Sequence, residues 1–393
     1  MSPVFDYDDF GSYEYDADES QNTYQWDELI PMLIVYSVTF ILGLIGNSLI
    51  VITTYRYRRM QSATNVLLAS LASADLLLIL FCIPIKAAKL FSFTWTMGIL
   101  LCKYVYYMQT VSTICSVLTL TSISIERYYA IVHPMKAKYI CTISHARRII
   151  LVTWVLSFIL AVPILFAQVQ MDVGVKIKAF WCVRNWCNKN VWRFQEVYML
   201  VLVLIVPTIV MIVAYVIICY EVWRVMERRS VMTSRHALNR NYVVGSCHGS
   251  KCESIKLSDM TGTRKRVQQY KNENVLVKQV IFMLVFVVVL FIICWGPLLI
   301  DNVLTAYEIL PPIRTGAIKH MGTAFHLLAY FNSCINPIIY GFMSKNFRES
   351  FQAALCCSNS DNYTTEYSPN KLTNDSIKHF SRTGSQTRNT SFT

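Results

Sequence analysis

Seven long apolar segments hold a single Asp, Glu, Lys or Arg between them, Asp75. The segments are Leu29–Thr54, Val66–Ile85, Tyr104–Ile125, Ile149–Ala167, Val197–Cys219, Val280–Ile300 and Met321–Met343. As helices, each reaches across a hydrocarbon core about 30 Å thick. The expected fold class is therefore an all-α membrane protein, a seven-transmembrane helix bundle. A carboxylate in lipid is costly unless protein groups or an ion compensate it, so Asp75 marks function. Seven spans around one buried acid point to a signalling receptor or a pump.

Charge sets the orientation. Residues 1–28 carry nine acids and no Lys or Arg. Basic residues follow span one (Arg56, Arg58, Arg59), span three (Lys136, Lys138, Arg147, Arg148) and span five (Arg224, Arg228, Arg229, Arg264, Lys265, Arg266). All fall on one side, which the positive-inside rule makes cytoplasmic. The net charge of +12 is thus a topology signal rather than a nucleic-acid footprint. The expectation is a multi-pass plasma-membrane protein with an extracellular N-terminus. The first apolar run follows an acidic stretch, so no cleaved leader is expected.

The organisation follows: an acidic N-terminus (1–28), the bundle (29–343), a short amphipathic eighth helix (344–355) and a cytoplasmic tail (356–393). The loop 224–273 is polar and reads as a disordered linker, and so does the Ser/Thr-rich tail. Cys356 and Cys357 follow the amphipathic stretch and are candidates for S-acylation. Cys102, Cys182 and Cys187 fall on the outer side, where oxidation is permitted. A Cys102–Cys182 bridge would tether the loop after span four over the bundle. Cys187 is a rival partner, and spacing does not decide between them.

Polar and kinking residues recur one set per span. They are Gly46-Asn47, Leu71-Ala72-Ser73-Ala74-Asp75, Cys102 with Glu126-Arg127-Tyr128, and Trp154 with Pro163. Pro207 with Tyr215, Cys294-Trp295-Gly296-Pro297, and Asn336-Pro337-Ile338-Ile339-Tyr340 with Phe347-Arg348 complete the series. In this order they resemble the rhodopsin-like G-protein-coupled receptors over about 29–355. Pro163, Pro207, Pro297 and Pro337 each remove a backbone hydrogen bond and permit a kink.

The resemblance implies an activation switch of Glu126, Arg127, Tyr128, Tyr215, Trp295, Pro297, Asn336, Pro337 and Tyr340. Glu126 would hold Arg127 in the inactive state. On release, Arg127 would turn toward Tyr215 and Tyr340, the sixth helix would move outward, and a heterotrimeric G protein would enter. In the opsin branch an acid on span six also holds this arginine. Here the nearest acid, Glu273, lies farther out, which implies a looser lock and basal signalling. The resemblance also implies a sodium site of Asp75, Ser116, Asn332, Ser333 and Asn336, supported by Asn47, since hard cations take oxygen ligands. No other cofactor is expected. Receptor kinases and arrestin would act at the tail, and the lipid bilayer is the solvent of the bundle.

Two departures narrow the ligand. Tyr330 stands where retinal-bearing opsins carry a lysine, and Gln109 where amine receptors carry an aspartate. The expected ligand-binding set is Lys86, Lys89, Tyr106, Gln109, Glu196, Asp301, Asn302, His326 and Tyr330. Tyr104, Tyr107, Phe325 and Trp95 extend an aromatic wall. Aromatic area with a few orienting polar groups fits an extracellular peptide. Alternation over 175–183 predicts a β-hairpin lid tied by Cys182. The acidic start, with Tyr7, Tyr13 and Tyr15 as sulfation candidates, would attract a basic peptide. The texture is similar to neuropeptide receptors of the galanin, cholecystokinin or orexin type. The alternatives are a lipid, chemokine-like or other ligand, or a transporter. No Cys precedes Cys82, which weakens the chemokine reading, and the lack of repeats weakens the transporter. The histidines show no nucleophile or metal-ligand spacing, so no enzyme is expected.

Overall fold

The computed structural model describes residues 26–91, 94–173, 179–245, 257–312, 314, 316–343 and 345–355. Tyr7, Tyr13, Tyr15, Cys356, Cys357 and the tail sequons lie outside them. Seven long helices run in chain order. These are α1 (Trp26–Arg56), α2 (Ala63–Lys89), α3 (Gly98–Val132), α4 (Ile143–Leu160), α5 (Lys189–Met199, Leu200–Ile205 and Val206–Gly245), α6 (Leu257–Ala306) and α7 (Gly316–Met343). An eighth, α8 (Lys345–Leu355), follows, and a short helix, Pro134–Ile140, links α3 to α4. Among the described residues six helices are long and apolar enough to cross a membrane. In α7 His326, Asn332, Ser333 and Asn336 interrupt the apolar run.

Proline chemistry shapes the spans. Pro84 has no N–H for the Leu80 carbonyl, and α2 widens into a π-helical turn at Leu78–Cys82. Pro207 has the same relation to Val203, inside the π-helical segment Leu200–Ile205 of α5. Pro297 and Pro337 sit within continuous helices. Pro163 departs from the expected mid-helix kink: α4 ends at Leu160, and Pro163 caps a short turn, Ile164–Ala167. The chain tightens there into three-residue bonds, Val162 N to Ile159 O (3.1 Å) and Leu165 N to Val162 O (3.0 Å).

The loop expected to be disordered over 224–273 is helical up to Gly245 and again from Leu257. No proline falls in either stretch, so α5 and α6 continue past the membrane. The bundle also starts earlier than the apolar runs suggest, at Trp26, and α7 starts at Gly316 rather than 321. Polar residues at these ends leave the apolar window but keep the helix. Side-chain caps mark other starts: Ser62 accepts from the Asn65 N–H (3.2 Å) and Thr142 from the His145 N–H (3.3 Å).

The α1–α7 seam is close. A Cβ on Gly46 would stand 2.6 Å from the Pro337 Cβ, and one on Gly43 2.5 Å from the Ile79 Cδ1. A proline ring cannot swing aside as Ile79 can. Gly46→Val is therefore expected to lower stability by roughly 1–3 kcal/mol, the usual range for overpacking. The thermal midpoint of the purified receptor measures it; a midpoint equal to wild type would mean that the helices part freely.

On the outer side β1 (Gln168–Val173) pairs antiparallel with β2 (Ala179–Arg184), Gln170 opposite Cys182. The hairpin begins before the alternation that predicted it, and 174–178 lie outside the described residues. Cys102 and Cys182 form the disulfide, with Cα atoms 5.8 Å apart. Cys187 is exposed and free, which settles the open pairing. Trp95 packs on that bridge and donates its Nε1–H to Gly98 O at 2.7 Å. A charged clasp joins the outer ends of α5 and α6. Glu308, at φ 63°, lies 2.7 Å from Lys189 Nζ and 3.6 Å from Arg193. Arg193 Nε also donates to Ala306 O at 3.0 Å. The Lys189 hydrogen bond holds the Glu308 carboxyl below the usual carboxylate range.

Candidate functional site: the outer cavity and the polar axis beneath it

A cavity of about 480 Å³ opens between the hairpin and the outer halves of α3, α5, α6 and α7. Lys89, Tyr106, Gln109, Glu196, Asp301, Asn302 and His326 line it, as expected from sequence. Lys86 and Tyr330 do not. Tyr330 is buried behind the wall and donates its hydroxyl to Gln109 Oε1 at 2.9 Å. Its ring meets Tyr36 edge-on at 5.5 Å. It therefore supports Gln109 from behind and does not line the cavity. Lys86 Nζ stacks 3.7 Å from the centre of the Tyr106 ring.

The aromatic wall also differs. Tyr107 turns to α4, donating to Phe158 O at 2.9 Å, and Tyr104 is an exposed residue of α3. Trp95 belongs to the disulfide cluster and Phe325 packs against the core. The aromatic lining comes instead from Trp186, Trp192 and Trp295 with Tyr106.

Sequence reasoning missed the arginines. Arg184 on β2 pairs with Glu196 on α5 (Nε to Oε1, 2.7 Å) and donates to Gln168 Oε1 at 2.9 Å. Arg314 pairs with Asp301 on α6 at 2.9 Å and donates to the Thr305 hydroxyl. Glu196 is 2% exposed and Asp301 6%, so both acids reach the cavity wall largely covered. Both arginines lie in loops or edges without periodicity. The signal that could have found them was the cost of a buried carboxylate without a cation.

Trp295 lies at the base of the cavity and is 6% exposed. It packs on Phe291, ring centres 6.4 Å apart, so the cavity floor is continuous with the core. Deeper in the bundle, Asp75 is 1% exposed and accepts from Asn336 Nδ2 at 3.0 Å. Asn47 Nδ2 donates to Gly43 O and Ser333 O, each at 2.8 Å, which ties α1 to α7. Asn47 Oδ1 is buried with no partner among the described residues. Ser116, Asn332 and Ser333 are each buried as well. One carboxylate, hydroxyls, amide oxygens and an unsatisfied buried oxygen are a donor set that fits a hard cation.

At the inner end Arg127 makes two bonds to Glu126, Nε to Oε2 at 2.7 Å and Nη2 to Oε1 at 2.6 Å. Thr64 at the start of α2 donates to Glu126 Oε2 at 2.8 Å and accepts from Arg127. The arginine is thus tied to α2 and to its own helix, and Glu273 falls outside the described side chains. Ser124 donates to the Tyr215 hydroxyl at 3.2 Å. Tyr340 is buried and stacks on Phe347 of α8 at 5.8 Å. Its hydroxyl has no partner among the described residues. Tyr128 reaches His133 instead, 3.4 Å from its hydroxyl to Nε2.

The sequence profile of the 7 transmembrane receptor (rhodopsin family) matches residues 46–340. A cholecystokinin receptor of Xenopus laevis is 31% identical over 342 residues, covering 81% of this chain and 75% of its own. A QRFP-like peptide receptor of Branchiostoma floridae is 30% identical, covering 86% and 81%. A gastrin/cholecystokinin type B receptor of Canis lupus familiaris is 32% identical, covering 84% and 80%. The seven long helices agree with those matches: this chain belongs to the rhodopsin family of seven-transmembrane receptors and is a receptor, not an enzyme.

Proposed function

We propose that the chain is a plasma-membrane receptor for an extracellular neuropeptide or peptide hormone, and that it activates a heterotrimeric G protein. The observation that carries this is the cavity: it is open beneath a hairpin lid and lined by paired charges, amides and tryptophans. A lipid pocket would be drier and more enclosed. Gln109 in its lining offers no carboxylate for an amine. The relatives named above include receptors for cholecystokinin and for QRFP-like peptides, and they support the same ligand class.

In this reading peptide bound above Trp295 shifts its packing on Phe291, and α6 pivots near Pro297. Arg127 leaves Glu126 for Tyr215 and Tyr340, whose buried hydroxyl gains a partner. A ligand shifts such an equilibrium only by its differential affinity for the two states. Sodium held by Asp75, Ser116, Asn332, Ser333 and Asn336 would favour the inactive packing and oppose agonist binding through linkage. Asp75→Asn is expected to abolish the sodium dependence of agonist affinity in radioligand binding; an unchanged dependence would place the ion elsewhere. Receptor kinases and arrestin are assigned to the tail, and S-acylation to Cys356 and Cys357.

The test is a calcium and cyclic-AMP screen of expressing cells against amidated and cyclic neuropeptides. A nanomolar response absent from mock cells supports the reading, and the pathway names the Gα class. Silence with verified surface expression, together with a response to a lipid library, overturns it.

A further inference from the structure

The charges of the outer cavity do not balance. Its wall carries Lys89, Arg184 and Arg314 against two carboxylates, Glu196 and Asp301. Both carboxylates are consumed by arginines of the same wall, at 2.7 and 2.9 Å. Lys86 adds a further cation directly behind the Tyr106 ring, at 3.7 Å from its centre. Arg184 approaches the same ring, with Cζ at 5.6 Å. Among the described residues no carboxylate lies within ion-pair distance of Lys86 or Lys89.

Two lysines three residues apart on a helix share one side of it, and like charges there repel. The Tyr106 π-face offsets part of that repulsion for Lys86, yet a quadrupole is a weaker partner than a carboxylate. Both lysines are partly buried, and water screens such charges less than at an open surface. The corner formed by Lys89 and Tyr106, backed by Lys86, is a site with cation donors, a phenol and no anion.

The geometry points to an oxyanion of the ligand at this corner: a carboxylate or a sulfate ester, held by the Lys89 ammonium and the Tyr106 hydroxyl, with Lys86 adding charge from behind the ring. The inference deepens the peptide reading, since it specifies one group that the peptide must carry. It also separates two demands on one ligand. The acidic start of the chain acts at long range on net charge, whereas the corner acts on contact with one group.

The test uses the purified full chain in lipid nanodiscs and saturation-transfer NMR, which detects millimolar binding. The probes are N-acetyl-O-sulfotyrosine amide and N-acetylaspartate amide, with N-acetyltyrosine amide and N-acetylasparagine amide as neutral counterparts. We expect at least one anion to show about fivefold more transfer than its counterpart. The excess should vanish in Lys86→Gln/Lys89→Gln and persist in Lys103→Gln, which removes a charge from α3 outside the cavity lining. A retained thermal transition shows that each variant is folded. Which anion binds distinguishes sulfate from carboxylate. Equal transfer for anions and neutral probes overturns the proposal, as does an equal loss in Lys103→Gln. A peptide response in the cell screen alongside such a failure would leave the peptide reading standing and remove the anion corner alone.

Discussion

Glu196→Ala is expected to cost the receptor most of its agonist affinity and a large part of its stability. Glu196 is 2% exposed and meets Arg184 at 2.7 Å. Arg184 is itself 23% exposed and holds Gln168 of the neighbouring strand. Removing the acid strands a largely buried guanidinium, which typically costs about 3–5 kcal/mol. The same pair ties α5 to the hairpin, so the lid loses its anchor to the helix. Agonist potency should fall by roughly a hundredfold or more, at about 1.4 kcal/mol per factor of ten. Replacing both partners by Leu should restore the thermal midpoint, because no charge is then left without its partner, while potency stays low. If Glu196→Ala kept both midpoint and potency, the pair would be a surface contact of little consequence.

Glu126→Gln is expected to raise basal nucleotide exchange on the G protein about tenfold. Arg127 is held by two short charge-assisted bonds to Glu126, and Thr64 bridges the pair. Bonds to a charged partner contribute about 1.5–3 kcal/mol, neutral ones about 0.5–1.5. The amide keeps the shape and loses that difference, near one decade in the inactive-to-active ratio. Thr64→Ala should move basal exchange in the same direction by less. The assay is exchange on purified G protein at matched receptor amounts without agonist. A basal rate equal to wild type would locate the restraint on Arg127 outside this triad.

Much of the architecture was legible because each span carries its own chemistry. Asp75, Arg127 and Pro337 are identified by what a membrane tolerates, and the motif order follows. Element ends were less legible. Apolar runs report the thickness of lipid, whereas α5 and α6 continue through polar sequence that contains no proline. Past Leu78–Cys82 a wide turn breaks the helical period, so regular helical spacing does not tell that Lys89 lines the cavity while Lys86 stands outside its lining. Tyr330 lies outside the lining for another reason: four residues from His326, it shares the helical face of a residue that lines the cavity but sits a turn deeper. The ion pairs of Arg184 and Arg314 join neighbouring elements across a turn of the chain, and no helical or strand period announces a partner 12 or 13 residues away.

The clasp between Glu308, Lys189 and Arg193 fixes the outer end of α6 to α5. From Pro297 to Leu257 the helix extends inward through about 60 Å, at 1.5 Å per residue. With the outer end held, that length is a lever arm whose fulcrum lies at the proline. A bend of about 10° there sweeps the inner tip through roughly 10 Å, enough to admit a helix about 10 Å across. Small adjustments around Trp295, at the short end of the lever, are thereby converted into a large opening on the far side of the membrane.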